Sequence, residues 1–141
     1  MYEKGMIINR RNNGGIQMLK SNIKNGEILK RLALMGEGDA LTIVGHRFAL
    51  PENVDVIDVS IAEDLPTIEQ VTEIITKDMI FSEITLPHEM DEDAKELIKG
   101  KVDSMKLNEL TIRQVQVVAK NTRFVIRTGD GKQAGALVLR I

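Results

Sequence analysis

The sequence predicts a single-domain α/β protein with a layered fold, in which helices flank a mainly parallel sheet. Short apolar runs typical of strands alternate along the chain with segments whose apolar residues recur at helical spacing. The length of 141 residues suits one domain that buries enough surface to fold without disulfides or metals. No internal repeat interrupts this alternation.

The first predicted helix lies between a capping residue and a glycine. Asn25 is a residue type favoured at N-caps, and apolar residues at helical spacing follow it as far as Met35. Gly36 is expected to end the helix, because glycine commonly follows a helix C-terminus. An extended stretch, Leu19–Ile23, precedes this helix, and the compact apolar run Ala40–Val44 after it predicts a buried strand.

The middle of the chain predicts strand, helix and strand. Val54–Val59 alternates Val or Ile with Asp, which is typical of a half-buried strand. Thr67–Gln70 has the spacing of a capping box and opens a helix. Met79–Leu86 is the next predicted strand. Three of its residues are expected to be buried: Ile80, Ile84 and Leu86.

The last third predicts two helices followed by two strands. Asp91 is a suitable cap for the acidic segment Asp91–Lys101, and a second capping box begins the helix Thr111–Lys120. Arg123–Arg127 and Gly135–Arg140 are predicted to close the chain as two strands around the turn Thr128–Gly131.

Residues 1–17 differ from the rest of the chain. They are polar and rich in turn formers, with only a short apolar patch. Gly14-Gly15 precedes Met18 at the distance of a bacterial ribosome-binding site, and two glycine codons can encode that sequence. One hypothesis is that Met18 is the true start and residues 1–17 are a translated leader. The alternative is an N-terminal arm that adds a strand to a neighbour. The domain is expected to span residues 18–141.

The composition excludes several classes of function. The net charge is −2, from 19 basic and 21 acidic residues, and aromatic residues make up 3%, so neither nucleic acid nor a membrane surface is an expected partner. There is no cysteine, which excludes disulfide scaffolds and thiolate chemistry. No apolar run is long enough to cross a bilayer, so a cytoplasmic protein is expected. Only two histidines are available for acid–base chemistry near neutral pH.

Glu37 is the first candidate catalytic residue. It lies between Gly36 and Gly38, which permit a sharp turn that exposes the carboxylate. Asp39 follows two residues later, and two close carboxylates can share a proton and raise one pKa for acid–base work. The commoner alternative is a solvated turn in which Asp39 accepts hydrogen bonds from nearby backbone amides.

His46 is the second candidate. It belongs to the segment Gly45–Phe48, directly after a predicted buried strand, and ligands of open α/β sheets bind beyond the carboxyl ends of strands. Its imidazole suits general acid–base catalysis. The alternative is a structural histidine whose hydrogen bonds are satisfied at the end of the strand.

Two other polar segments favour structural roles. His88–Asp93 contains metal-ligand types, but a single histidine followed by acids is more typical of a helix start, and no metal is expected. Thr128–Lys132 could hold an anion on its amides, yet a turn between strands requires no ligand.

Four segments resemble one family in order and spacing. Met18-Leu19-Lys20 is similar to its start, and Leu32–Asp39 to a helix end that carries Met-Gly-His-Gly-Asp. Ile57–Ser60, with Leu65-Pro66 after it, and Val125–Asp130 resemble two later motifs. On these motifs the chain resembles the ribose pyranase and fucose mutarotase family over nearly all of residues 18–141.

The resemblance implies an α/β subunit that assembles into a ring-shaped decamer, with sites between adjacent subunits. It implies a reaction that interconverts cyclic forms of a monosaccharide without a cofactor. Opening the hemiacetal requires a proton on the ring oxygen while another leaves the anomeric hydroxyl.

Most family site residues are replaced in this chain. The family's catalytic histidine falls on Glu37 and its aspartate on Gly45. The histidine and lysine of its last helix fall on Ile112 and Gln116, and its Tyr-Ala-Asn segment falls on Ala134–Ala136. Glu37 as base and His46 as acid are the candidate catalytic residues. The predicted sugar-binding positions are Glu37, Gly45, His46, Ile112, Gln116, Ala134 and Ala136.

Two functions follow from these replacements. The first is a cytoplasmic homo-oligomer that binds a monosaccharide and interconverts its cyclic forms. The second is a non-catalytic ring-forming homologue that acts as a partner or regulator in sugar utilisation. Hetero-assembly with an active paralogue, in which a site borrows residues across the interface, is a third possibility.

Overall fold

The computed structural model describes residues 8–9 and 18–141. In these residues four helices pack on a six-stranded sheet, beside a two-residue antiparallel ribbon of β1 and β2. The strands are β1 (Ile8–Asn9), β2 (Met18–Leu19), β3 (Ala40–Val44), β4 (Asp55–Asp58), β5 (Glu83–Pro87), β6 (Lys106–Leu110), β7 (Phe124–Arg127) and β8 (Ala136–Arg140). The helices are α1 (Gly26–Ala33), α2 (Ile68–Asp78), α3 (Glu92–Lys99) and α4 (Ile112–Ala119).

The main sheet has the strand order β4-β7-β3-β8-β5-β6. All neighbouring strands are parallel except β8, which runs antiparallel to both β3 and β5. The predicted α/β layered fold with a mainly parallel sheet is therefore confirmed. The carboxyl ends of β3, β4 and β7 meet at one edge of the sheet, and β8 starts from the same edge.

The helices begin where local side-chain chemistry predicts. Asn25 accepts a hydrogen bond from the Ile28 N–H at 3.0 Å, and both capping boxes form, at Thr67 and at Thr111. Asp91 caps α3 as expected. Each box satisfies N–H groups that have no partner inside the helix, so these starts are determined by residues within one turn.

The two faces of the sheet are covered unequally. α1, α2 and α3 cover one face, and their apolar residues form the larger core cluster together with β3 residues such as Ile43. α4 packs on the other face, where Val115 and Ala119 join Val44 and Val138 in a smaller cluster. β3 has all five residues buried, as predicted, because it lies between strands and under both layers.

The end of the chain departs from the prediction. β7 and β8 do not pair around the Thr128–Gly131 turn, because β3 is inserted between them. β3 hydrogen-bonds β7 in parallel and β8 in antiparallel fashion, which buries its apolar run on both edges. The Thr128–Gly131 segment therefore belongs to a connection that passes from β7 to β8 across the end of β3, at the carboxyl edge of the sheet.

The third predicted strand was placed too early. It begins at Glu83 instead of Met79, and Ile80 is 86% exposed while Phe81 is buried in its place. β6 was not predicted, because its apolar residues alternate only weakly with Lys106, Asn108 and Glu109. As an edge strand, β6 needs less apolar surface than a central one.

The leader or arm hypothesis for residues 1–17 lies outside the described residues, apart from the strand Ile8–Asn9. Of the extended stretch Leu19–Ile23, only Leu19 is in a strand. Within the described ranges, no helix combines the length and apolar character needed to span a membrane.

Asp130 joins three elements beneath the carboxyl edge and is 2% exposed. Its carboxylate accepts hydrogen bonds from the N–H of Ile68 at 2.8 Å and of Lys132 at 2.9 Å, and it contacts the Lys132 ammonium. Its backbone carbonyl accepts the His46 N–H at 2.9 Å. Burial alone would raise the pKa of Asp130, but the Lys132 ammonium and the two N–H donors outweigh burial and lower the pKa.

We predict that Asp130→Asn lowers the free energy of unfolding by about 1.5–3 kcal/mol at pH 7, because hydrogen bonds to a charged group are lost. The carboxyl pKa is lower in the folded state than in the unfolded state. Its contribution is therefore complete above the unfolded-state pKa of about 4 and is lost as the pH falls through the folded-state value. Urea unfolding at pH 7 and pH 3 should show the difference shrinking in acid. The exposed Asp103→Asn variant is the control; an equal loss in both variants would contradict this role.

Candidate functional site

The carboxyl edge of the sheet brings several predicted positions together. The Gly45 N–H donates to the Gly135 carbonyl at 2.9 Å, and β8 starts at Ala136, which pairs with Val44. Gly45, His46 and the segment Ala134–Ala136 therefore lie at one edge, as expected for residues that end β3 or begin its neighbour. The backbone hydrogen bond from His46 to Asp130 holds the histidine at the rim of this edge.

The His46 side chain pairs with Glu63, which the sequence analysis did not identify. His46 Nε2 lies 2.9 Å from Glu63 Oε1, and the two side chains are 32% and 67% exposed. Because a carboxylate only accepts, the imidazole donates through Nε2, which leaves Nδ1 as the basic nitrogen of a neutral ring. This pair can hold an imidazole in one orientation.

The loop that carries Glu63 is attached to the loop after β7. The Asp64 N–H donates to the Gly129 carbonyl at 2.6 Å, and the Gly131 N–H donates to Asp64 Oδ1 at 3.0 Å. A side chain at Gly131 would overlap the carboxylate of Glu63. These contacts bring Glu63 to His46 although 17 positions separate them in the chain.

Three hydrogen-bonded residues, Asp58, Ser60 and Arg127, lie near this pair and form a polar triplet. Arg127 donates to Asp58 Oδ2 at 2.9 Å and to Ser60 Oγ at 3.0 Å, and Ser60 Oγ donates to Asp58 Oδ1 at 2.5 Å. The Ser60 hydroxyl, then the Ser60 N–H and Arg127, lower the pKa of Asp58. A cavity of about 220 Å³ lies between the triplet and the pair, lined by His46, Ser60, Ile61, Ala62, Glu63, Arg127 and Gly129.

Glu37 lies at the opposite edge of the sheet. It is exposed in the turn before β3, whereas His46 follows β3, so a strand of five residues, about 16 Å long, separates them. Asp39 Oδ2 accepts the Gly36 N–H at 2.8 Å, as the turn interpretation expected, and Gly38 has a φ of 88°. Within one chain Glu37 and His46 cannot act on the same molecule.

The replaced family positions carry little polar side-chain surface. Ala136 is fully buried and Ile112 packs against the same apolar cluster under α4. A side chain at Gly45 would overlap the carbonyl oxygen of Asp130. Ala134 has a left-handed backbone with a φ of 53°, which is uncommon for a residue with a side chain. These four positions offer backbone groups and apolar side chains where the resemblance implies polar side chains.

Gln116 instead faces a larger cleft on the α4 side of the sheet. The cleft has a volume of about 640 Å³ and lies between α4 and the chain segment that connects β3 to β4. It is lined by Ala49, Leu50, Pro51, Glu52, Asn53, Arg113, Gln116, Val117 and Lys120. Gln116 is thus the predicted sugar-binding residue that borders the largest of these cavities.

His88 belongs to a separate cluster at the ends of β5 and β6. His88 Nδ1 lies 2.9 Å from Glu109 Oε1, and the nearly buried Lys95 ammonium donates to Glu109 at 3.3 Å and to Glu92 at 3.2 Å. Hydrogen bonding from His88, then from Lys95, lowers the pKa of Glu109. The helix-start interpretation of this segment is confirmed by the Asp91 cap.

The fold and the carboxyl-edge site together define the class of protein. The chain is a single-domain α/β protein whose carboxyl edge carries an oriented imidazole beside a small polar cavity. A sequence model described as the RbsD / FucU transport protein family matches residues 18–141. The chain belongs to this family.

Curated relatives and solved structures agree with the family assignment. The D-ribose pyranase of Thermosipho africanus is 29% identical over 113 residues, which cover 80% of this chain and 88% of the relative. The D-ribose pyranase of Thermotoga maritima is 34% identical over 122 residues, which cover 79% and 88%.

The Bacillus subtilis RbsD structure complexed with D-ribose has a TM-score of 0.83 at 21% identity, and the match covers 87% of this chain and 96% of that one. A fucose mutarotase from Streptococcus pneumoniae in complex with L-fucose has a TM-score of 0.61 at 15% identity, with 81% and 89% covered. At these identities the two structures show a shared fold.

We predict that Gly45→Ala lowers the free energy of unfolding by about 1–3 kcal/mol, because the new methyl group overlaps the Asp130 carbonyl. Gly26→Ala is the matched control, since nothing lies within 4 Å of its added Cβ, and it should be neutral or stabilising by up to about 1 kcal/mol. Urea unfolding measures both. If Gly45→Ala is as stable as the parent, the edge has room for a side chain.

Proposed function

We propose that this protein binds a monosaccharide and interconverts its cyclic forms. The main support is the family membership of residues 18–141, together with D-ribose pyranase relatives at 29–34% identity. The site contributes an imidazole oriented by Glu63 at the carboxyl edge, where ligands of α/β sheets bind. Mutarotation needs acid–base groups and no cofactor, and His46 provides one such group.

The proposed mechanism uses two proton transfers. A protonated His46, oriented by Glu63, donates its proton to the ring oxygen as the C1–O bond of the ring breaks. The Glu37 carboxylate takes the proton of the anomeric hydroxyl, which becomes the carbonyl oxygen of the open chain. Ring closure reverses both transfers after rotation about the C1–C2 bond or attack by another hydroxyl. Atoms and charges balance, and both residues are regenerated over the cycle.

The mechanism requires two copies of the chain. Glu37 and His46 lie at opposite edges of one sheet, so a site that contains both draws them from neighbouring subunits. We therefore propose a cytoplasmic homo-oligomer with sites at its interfaces, and a ring-shaped decamer by resemblance to the family. The resulting site is divergent, since Glu37 stands where the family has its catalytic histidine.

A second candidate function has its own support. Ile112 and Ala136 belong to an apolar cluster, and Gly45 is closed against Asp130, so these positions offer a sugar few hydrogen-bonding partners. This favours a non-catalytic ring-forming homologue that acts as a partner or regulator in sugar utilisation. The rate of anomer exchange separates the two functions.

Saturation-transfer NMR on ribose, fucose and related sugars should show exchange between cyclic forms faster than in buffer. His46→Gln should slow the catalysed exchange by about a hundredfold, the size of a general acid–base contribution. His88→Gln is the matched control, because His88 also lies 2.9 Å from a carboxylate but outside the site. If every sugar exchanges at the buffer rate, the catalytic function is refuted and the non-catalytic function is supported.

Subunit mixing tests the shared site. Glu37→Gln and His46→Gln should each slow the accelerated exchange by about a hundredfold when assembled alone. Unfolding both together and refolding the mixture should restore activity, because some sites then combine an intact Glu37 with an intact His46 from another copy. Light scattering reports the assembly size. A monomer, or a mixture as inactive as its parts, would contradict a site built from two copies.

A further inference from the structure

A cleft that borders the predicted site residue Gln116 lies away from His46 and has its own set of polar groups. This cleft, about 640 Å³ in volume, is within the size range of small-molecule sites. It is nearly three times as large as the cavity beside His46, which measures about 220 Å³. Its walls are the segment 49–53 on one side and the outer surface of α4 on the other.

The polar side chains of the cleft are not used by the protein itself. In the part of the chain that the structure describes, several charged groups are paired within the protein, among them Arg127 with Asp58, Lys95 with Glu109 and Lys132 with Glu69. Among the same residues, no side-chain hydrogen bond or ion pair engages the five polar side chains of the cleft, which are Glu52, Asn53, Arg113, Gln116 and Lys120. They have free capacity to bind a ligand.

The helix places three of these groups in one row. Arg113, Gln116 and Lys120 are three and four positions apart, so they follow one another along the same face of α4. The two cations are about 10.5 Å apart along the helix axis, and both side chains are long enough to converge above Gln116. Leu50 and Val117 add apolar surface, being 42% and 58% exposed.

We propose that this cleft binds a phosphorylated monosaccharide. Arg113 and Lys120 bind the phosphate, which carries a charge between −1.5 and −2 at pH 7 and matches the charge of two cations. Glu52, Asn53 and Gln116 supply a carboxylate and two amides, groups that bind sugar hydroxyls. The monosaccharide part of this inference rests on the proposed function; the anionic part rests on the two unpaired cations.

The charge balance of the cleft favours a sugar phosphate over a neutral sugar. Its lining carries two positive groups and one negative group, in a chain whose overall net charge is −2. Arg113 and Lys120 can donate hydrogen bonds to the hydroxyls of a neutral sugar, but only an anionic ligand also neutralises their charge. A phosphate gains charge-assisted hydrogen bonds from both.

Titration of the full chain by calorimetry and by amide NMR tests the proposal with three probes: D-ribose 5-phosphate, D-ribose and inorganic phosphate. We expect D-ribose 5-phosphate to bind at least about tenfold more tightly than either of the others, with amide shifts at Glu52, Arg113 and Gln116. Its affinity should fall with added salt and should rise from pH 5 to pH 7, because the second phosphate pKa is about 6.

Arg113→Gln and Lys120→Gln should each reduce the affinity for D-ribose 5-phosphate by about tenfold and leave that for D-ribose unchanged. Lys30→Gln, an exposed cation on α1, is the matched control and should have no effect. Equal affinity for D-ribose and D-ribose 5-phosphate overturns the proposal. The proposal is also overturned if inorganic phosphate binds as tightly as D-ribose 5-phosphate. Amide shifts confined to the surroundings of His46 would overturn it as well.

The same experiments separate this inference from the proposed function. Accelerated exchange of ribose without preference for the phosphate ester refutes the phosphate site alone. Binding of D-ribose 5-phosphate in the cleft, with exchange of every free sugar at the buffer rate, supports the site and refutes the mutarotase function for free sugars.

Discussion

The buried carboxylate of Asp130 is the interaction on which the carboxyl edge of this fold depends. One residue caps α2 through Ile68, binds Lys132 and receives the backbone N–H of His46 on its carbonyl. These contacts hold the loop after β7, the start of α2 and the end of β3 in one arrangement. The closeness of the backbone explains why position 45 is glycine: a side chain there would overlap the Asp130 carbonyl. An aspartate at position 45, as in the family, would require a different path of this loop.

The motifs that carry the family resemblance have a physical role in the scaffold. Asp58 and Ser60 come from one motif and Arg127 from another, and they form a single hydrogen-bonded triplet that ties the end of β4 to the end of β7. This explains why these segments match the family although the side chains expected to face the sugar do not. The fold is shared with the solved structures, whereas polar side chains lie at the His46–Glu63 pair and along the cleft beside α4.

The separation of Glu37 from His46 makes assembly part of the proposed chemistry. The two candidate catalytic residues lie before and after the same buried strand, and no motion of a short turn closes a distance of about 16 Å. In the proposed mechanism, residues of one subunit therefore complete the site of another. The catalytic and the non-catalytic function differ in whether Glu37 and His46 suffice for proton transfer once the subunit interface forms.

Much of the fold could be predicted from the sequence, because its signals are local. Asn25, Thr67 and Thr111 cap N–H groups within one helical turn, and the all-apolar run of β3 indicates a strand covered on both faces. The family resemblance and the positions of Glu37, His46 and Gln116 as candidates also came from the sequence alone.

Tertiary structure decided the features that depend on residues far apart in the chain. It inserted β3 between β7 and β8, buried Phe81 in place of Ile80, and brought Glu63 to His46 through the hydrogen bonds of Asp64. It also placed Glu37 and His46 at opposite edges of the sheet. Strand order and loop contacts result from competition among segments that are far apart in the chain. The outcome of that competition cannot be predicted from the pattern of a few neighbouring residues.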